Sequence, residues 1–295
     1  MYLPDFDYYM PGTLEEAYLT LARLGEKARV LAGGTDLLPQ MKNEAIALDA
    51  LVSLKEVKNL NGITYVQGWG VVIGAKSTHN DLANSIVLKE RFPSVSDAAQ
   101  SMANNQIRNR GTIGGNLVSA VPSADLPPIL IALDASITLV GPHQTRTMPV
   151  EKFFVGPRCS IIASDEILTK IVIPDQATTG SAYLKFGLRR SGVLAVVGVA
   201  ASVVKRGKHI EGVHIVLGAV APTPMRACEA ERVLIGNSVT EALLEEAGQT
   251  AARECSPISD IRGSADYRRD MVRVFTKRAL RKALKVTKAG TVEAG

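Results

Sequence analysis

Two short segments hold the residues best suited to chemistry: Ala32-Gly33-Gly34-Thr35-Asp36 and Thr112-Ile113-Gly114-Gly115-Asn116. A diphosphate is held by backbone amides that converge on it, and side chains at those positions obstruct the approach. Adjacent glycines reach the positive φ values that turn successive N–H groups into one anion-binding concavity. Thr35, Thr112 and Asn116 add short polar side chains that can donate to phosphate or polyol oxygens. Each charge-assisted bond contributes roughly 1.5–3 kcal/mol, so two such segments can hold a large anionic ligand without a covalent link. Neither is Gly-x-Gly-x-x-Gly, and neither is Gly-x-x-x-x-Gly-Lys-Ser/Thr, so a Rossmann site and a nucleoside-triphosphatase loop are not indicated. A lone Gly-Gly pair is a common turn. The order, spacing and flanks of the two together make them informative.

Other residue types offer less. Cys159, Cys228 and Cys255 are far apart and odd in number, without a Cys-x-x-Cys, so neither a disulfide framework nor an iron–sulfur cluster is readable. His209 and His214 fall in an expected hairpin, and His79 and His143 stand alone, so structural histidines are expected rather than a metal site. Much of the +5 net charge sits after residue 262, where Arg268, Arg269, Arg273, Lys277, Arg278, Arg281, Lys282 and Lys285 alternate with Tyr267, Met271, Val274 and Phe275. That spacing predicts an amphipathic helix with a solvated basic face, not a nucleic-acid site.

The elements around the two segments follow from local pattern. Thr13-Leu14-Glu15-Glu16 fits a capping box, and Leu14, Ala17, Tyr18, Leu21 and Leu24 then recur at helical spacing up to Gly25. Strands are expected at 29–31, 50–54, 71–75 and 136–140, and helices after Thr78, over 94–105, and from Pro127 to Leu133. Beyond a boundary at 174–180, strands at 195–205 and 210–220 pair through Arg206-Gly207-Lys208, and helices at 240–254 and 266–284 close the fold. This mixture reads as α+β. The chain has 295 residues, 46% apolar and 21% charged, which is ordinary for a globular protein. No run of 18 uncharged apolar residues occurs, and the N-terminus lacks a basic leader, so no membrane span is expected and the cytoplasm is the default compartment.

With their flanks, residues 31–37 (Leu-Ala-Gly-Gly-Thr-Asp-Leu) and 106–117 (Gln-Ile-Arg-Asn-Arg-Gly-Thr-Ile-Gly-Gly-Asn-Leu) resemble the two FAD loops of the xanthine dehydrogenase/molybdenum hydroxylase medium subunit. Carbon monoxide dehydrogenase medium subunits belong to the same group. The likeness continues through Pro122-Ser123-Ala124-Asp125-Leu126-Pro127, Glu166-Ile167-Leu168, Tyr183-Leu184-Lys185-Phe186 and residues 219–224.

The resemblance implies an FAD domain of the vanillyl-alcohol-oxidase (PCMH) type over 1–176, with α+β lobes at 1–56 and 57–176. A smaller α+β flavoprotein domain then spans 177–286, and 287–295 form a tail. It assigns Leu31, Ala32, Gly33, Gly34, Thr35, Asp36, Leu37, Thr112, Ile113, Gly114, Gly115 and Asn116 to the pyrophosphate and ribityl chain. Asp125 is implied as a polar contact, Leu168 and Lys185 as lining, and Met102 as an apolar contact. No catalytic side chain and no metal ligand are implied in this chain, since the redox chemistry belongs to the cofactor.

The resemblance also implies partners. These are a large molybdopterin subunit and a small subunit with two [2Fe–2S] clusters, assembled as a dimer of heterotrimers, passing electrons through FAD to NAD+ or another acceptor. Purines such as xanthine are the favoured substrate of the complex, with carbon monoxide, nicotinate, aldehydes and aromatic heterocycles as alternatives. A free-standing flavin oxidoreductase is a further reading. One departure concerns the acceptor: Ser191-Gly192-Val193 follows the basic pair Arg189-Arg190, where many relatives carry an acid close to the flavin. Loss of a negative charge there makes reduction easier, so NAD+ does not follow. The eight residues between Asn116 and Asp125 contain no cysteine, which excludes the insertion of the 4-hydroxybenzoyl-CoA reductase branch.

Overall fold

The computed structural model describes residues 2–176, 178–189 and 191–285; Arg190 and the tail at 287–295 lie outside the described residues. The first part contains β1 (Asp7–Tyr9), α1 (Leu14–Leu24), β2 (Ala28–Leu31), α2 (Leu37–Lys42) and β3 (Ala50–Ser53). Its three strands are parallel in the order β1-β3-β2, with Leu31 opposite Ser53. Alternating apolar residues put Ala17 and Leu21 of α1 onto Val52 and Leu54. The capping box of α1 forms only by half: Thr13 accepts from the Glu16 amide, but the Glu16 carboxylate reaches one residue further back, to the Gly12 amide at 2.8 Å. A complete box occurs instead at Thr78 and Asp81.

The second part runs through β4 (Ile63–Val66), β5 (Gly70–Gly74), α3 (His79–Asn84), α4 (Ile86–Arg91), α5 (Pro93–Gln100), α6 (Asn105–Arg108), α7 (Ile113–Val118) and α8 (Leu126–Ala132). It continues through β6 (Ser136–Val140), β7 (Thr145–Pro149), β8 (Phe154–Gly156), β9 (Cys159–Ser160) and β10 (Ile167–Ile173). Five of these strands form an antiparallel sheet, β4-β5-β10-β6-β7. The expected helix over 94–105 is two helices. Ser101 caps the first, Ala103 takes a φ of 39°, and Asn104 caps the second by accepting from the Ile107 amide at 2.9 Å. Lys76 ties this part to the first, donating to the carbonyls of Leu54 at 2.6 Å and Val57 at 2.8 Å.

The third part is an antiparallel sheet of β11 (Gly180–Phe186), β12 (Val197–Arg206), β13 (His209–Gly218) and β14 (Met225–Arg226), followed by α9 (Cys228–Leu234), α10 (Glu241–Glu254) and α11 (Ala265–Lys285). Residues of α5 and α8 share a core with Tyr183, Ala200 and Val216, so the third sheet covers the helices of the second part. Its other face packs on α9 and α11, with α10 laid against those two helices. Several basic residues of α11 are paired or buried rather than free in solvent, while Arg278 stays exposed. Arg273 and Lys277 pair with Glu245, Arg281 with Glu241, and Lys282 with Asp97 of α5. Arg268 is buried outright, donating to Asp260 at 2.6 Å and to the Val196 carbonyl at 3.2 Å. Period and charge cannot distinguish a solvated basic stripe from one paired with an acidic neighbour. Among the described residues no helix is long and apolar enough to cross a membrane.

Candidate functional site

A cavity of about 1040 Å³ opens between the three parts, at the upper end of the range for pockets that take organic ligands. The loop after β2 forms one wall, and the second glycine segment with the start of α8 forms another. Gly192, Val193 and Leu194, from the loop between β11 and β12, also line it. Parallel strands present ligands at their carboxyl ends, and β2 ends there at Leu31, whose carbonyl accepts from the Leu54 amide at 3.0 Å.

In the first segment the chain turns from β2 into α2 within five residues. Gly34 takes a φ of 74°, the left-handed region that favours glycine. Gly33 is glycine for a different reason: a Cβ there would lie 2.0 Å from the Arg110 carbonyl oxygen, so the first segment touches the turn that leads into the second. The amides of Gly33, Gly34, Thr35 and Asp36 find no acceptor among the described residues, although all four residues border the cavity. Arg158 reaches over to Asp36 at 3.4 Å.

The second segment is built otherwise. It is the first turn of α7, with Thr112 as its N-cap, and neither Gly114 nor Gly115 has a positive φ. Four of its five amides are engaged: Ile113 with the Ser77 carbonyl at 3.0 Å, Gly114 with Ala75 at 2.9 Å, Gly115 with Thr112 Oγ1 at 3.1 Å and Asn116 with Thr112 at 2.9 Å; the Thr112 amide finds no acceptor among the described residues. Helix capping and the carbonyls of Ala75 and Ser77 before α3 consume these four donors, which leaves the Thr112 amide beside the cavity. Gly114 is required for close packing, since a Cβ would meet the Ala75 carbonyl oxygen at 2.8 Å. Asn116 Oδ1 is buried in the cavity wall with no hydrogen-bond partner.

Behind the contact of the first segment with that turn sits His79. Its ring lies 2.9 Å from where a Cβ on Gly111 would be, and its Nδ1 has no partner. Burial, aided by the Arg108 charge, lowers its pKa to about 4, so the ring is neutral at physiological pH. Asp125 stands at the N-cap position of α8 without capping it. Its carboxylate accepts instead from Tyr183 Oη at 2.7 Å and Lys185 Nζ at 2.8 Å. Burial lifts the Asp125 carboxyl above the usual carboxylate range, and the Lys185 charge and both hydrogen bonds pull it back.

The cavity brings together Leu31, Ala32, Gly33, Gly34, Thr35, Asp36 and Leu37 with Met102, Thr112, Gly114, Gly115, Asn116, Asp125 and Leu168. Two expected residues fall outside its lining. The Ile113 side chain points into the core beside Leu117, and Lys185 is reached only through Asp125. Sequence reasoning missed His79 and Arg158, while the resemblance already set Gly192 and Val193 beside the flavin, and both line the cavity. The Thr78-Asp81 box marked the start of α3 but nothing marked its first residue as a wall, and Arg158 is placed by a β8–β9 turn in which it takes a φ of 57°.

Four unpartnered amides and one orphaned acceptor oxygen suit a ligand with phosphate oxygens and polyol hydroxyls, as a flavin dinucleotide has. A family model described as "FAD binding domain in molybdopterin dehydrogenase" matches residues 4–176, and one described as "CO dehydrogenase flavoprotein C-terminal domain" matches 182–283. The carbon monoxide dehydrogenase medium chain of Hydrogenophaga pseudoflava is 37% identical over 281 residues, covering 95% of this chain and 97% of that one. The xanthine dehydrogenase FAD-binding subunit of Escherichia coli O157:H7 is 29% identical over 283 residues, covering 95% and 97%. A solved structure of carbon monoxide dehydrogenase from Hydrogenophaga pseudoflava, lacking the Mo-pyranopterin moiety of its molybdenum cofactor, superposes with a TM-score of 0.92 at 37% identity, over 96% of this chain and 98% of that one.

Proposed function

The chain belongs to the FAD-binding flavoproteins of the molybdopterin dehydrogenases, and from that premise we propose that it relays electrons through FAD within a larger complex without touching the organic substrate. The observation that carries this reading is the pairing, in one cavity, of the unpartnered amides of residues 33–36 with the orphaned Asn116 oxygen. In this reading the amides of Gly33, Gly34, Thr35 and Asp36 donate to the diphosphate, and Asn116 Oδ1 accepts from a hydroxyl. Gly114 and Gly115 begin the helix that walls the cavity, and a side chain on Gly115 would turn toward Thr112. Asp125 accepts a hydrogen bond from the cofactor, while Met102 and Leu168 give it apolar contact. Bound FAD would supply storage for two electrons that can be exchanged one at a time. The protein's part is to hold it non-covalently, orient it and shield it from water.

The relatives' designations as medium chain and FAD-binding subunit support partner subunits; we propose a small iron–sulfur subunit and a large molybdopterin subunit, paired as a dimer of heterotrimers. We assign residues 1–176 to the FAD-binding domain and 177–286 to the C-terminal domain. For the substrate we propose no single compound. Identity is higher with the carbon monoxide dehydrogenase chain than with the xanthine dehydrogenase subunit, which does not favour purines. The acceptor is likewise open between NAD+ and others, because the cavity-lining stretch Gly192-Val193-Leu194 carries no carboxylate.

The test compares two activities of one complex preparation. Asp125→Ala removes the polar contact and is expected to weaken FAD binding. Reduction of a dye fed directly by the molybdenum or iron–sulfur centres should persist, while turnover with the physiological acceptor falls. A parallel loss of single-turnover substrate hydroxylation would overturn the relay reading.

A further inference from the structure

The FAD cavity and the C-terminal domain meet at one carboxylate. Asp125 is 4% exposed, and both its oxygens are taken by β11, Oδ1 by Tyr183 and Oδ2 by Lys185. The two donors are two residues apart, so they project from the same face of the strand. Lys185 is steadied by the Ser101 carbonyl at 3.3 Å. On the neighbouring β12, Gly198 lies opposite Lys185, and a Cβ there would stand 2.8 Å from Tyr183 Oη. The missing side chain of Gly198 is the space the phenol occupies.

Tyr183 is itself buried and absent from the cavity wall, so whatever it does for the ligand passes through Asp125. Its burial, with the Asp125 charge beside it, raises the phenol well above its ordinary pKa, and it remains a hydrogen-bond donor throughout the working range. Tyr183 and Lys185, both on β11, are the titratable groups that act on Asp125, and no other charged side chain contributes to its shift. Two further contacts seat the C-terminal domain on α5: Ser94 with Ser181 at 2.7 Å and Asp97 with Lys282 at 2.7 Å.

We propose that Tyr183 is a positioning residue for the cofactor site: seated in the space left by Gly198, its hydroxyl fixes the Asp125 carboxylate, so the C-terminal domain governs how tightly FAD is held. The inference rests on the reading of the cavity as an FAD site. A hydrogen bond to an ionised carboxylate favours the ionised form. Without the phenol, Asp125 protonates more readily, and both its orientation and its capacity as an acceptor suffer.

The experiment measures the FAD dissociation constant of the full chain across a pH series, by fluorescence of the released flavin. Wild type is compared with Tyr183→Phe, Asp125→Asn and the double variant. Tyr183→Phe is expected to bind FAD about tenfold more weakly at neutral pH, the loss of one hydrogen bond to a charged group. The double variant should bind no more weakly than Asp125→Asn alone. The midpoint of the pH dependence should move upward in Tyr183→Phe and vanish in both proteins that carry Asp125→Asn. Additive losses, or an unmoved midpoint, would overturn the proposal while leaving the FAD site intact. Gly198→Ala, which crowds the same hydroxyl from the other side, must give the same upward movement. A wild-type chain that binds no FAD would remove the reading of the cavity, and this inference with it.

Discussion

At residues 33–36 four consecutive amides meet no acceptor among the described residues, whereas at 113–116 every amide is already hydrogen-bonded within the fold. Both segments contain a Gly-Gly pair beside a short polar residue, yet the first leaves a run of four donors and the second only the Thr112 amide. The glycines differ in purpose too. Gly34 supplies a left-handed turn, while Gly33 and Gly114 supply nearness: the first to the Arg110 carbonyl, the second to Ala75. A glycine pair is thus ambiguous among a turn, a close contact and an anion cradle. What decides is where the neighbouring backbone has already spent its hydrogen bonds.

The largest effect separating the segments is expected where the first meets the turn before the second. In Gly33→Val the new Cβ stands 2.0 Å from a carbonyl oxygen that belongs to backbone and cannot rotate away. The first segment and that turn must part, with a destabilisation at or above the usual range for overpacking, about 3 kcal/mol. Measured FAD content and urea midpoint should fall together. A Gly33→Val protein that purified with full FAD and wild-type stability would show that the contact does not organise the cavity.

A somewhat smaller effect lies behind that contact, at His79. Its folded pKa of about 4 lies below the ordinary histidine value near 6.5. Between those limits the unfolded chain binds a proton that the folded chain refuses, so stability falls as pH drops through the window. The full loss is up to about 3 kcal/mol. Unfolding of wild type and His79→Gln at pH 7.5 and pH 4.5 checks it, with the carboxylates common to both cancelling in the difference. Equal acid sensitivity in the two proteins would show that His79 is not held neutral against Gly111, and the second segment would lose its rigid backing.

Much of this architecture was legible in sequence because it rests on local patterns. The helical spacing after Thr13, the hairpin turning at Arg206-Gly207-Lys208 and the last two helices all form within a few residues of their signals. What escaped depends on partners distant in the chain. The break after Ser101 follows from Ala103 adopting a φ of 39° and offering its carbonyl to the Gly192 amide at 2.9 Å, a contact across 89 residues of chain. Arg268 reads as one more surface cation until Asp260 and two carbonyls close over it. Within the site, a glycine pair signals the left-handed turn at Gly34, but the same pair after Thr112 opens a helix, which the N-cap alone decides. On that helix the Ile113 side chain turns inward to the core.

The smallest expected effect makes the sharpest test of the contrast, and it belongs to Gly115→Ala. Gly115 has no left-handed φ, and the nearest atom to a Cβ there is Thr112 Oγ1 at 3.0 Å. That hydroxyl is the N-cap acceptor for the Gly115 amide, so the methyl group must displace it by a few tenths of an ångström and weaken a cap worth about 1 kcal/mol. Against this, alanine in a helix is favoured over glycine by roughly 0.5–1 kcal/mol, through the smaller backbone entropy lost on folding. The two terms nearly cancel, and the urea midpoint is expected to move by no more than about 0.5 kcal/mol in equivalent stability. Because the Gly115 amide is already engaged, no donor to the ligand is lost, and the purified protein should keep its FAD. Gly34→Ala is the matched control: it strains a φ of 74° in the segment whose amides are free, and it should release FAD. If Gly115→Ala instead lost FAD at unchanged stability, the second segment would be contacting the ligand through its own backbone, and the distinction between a donor loop and a packing turn would fall.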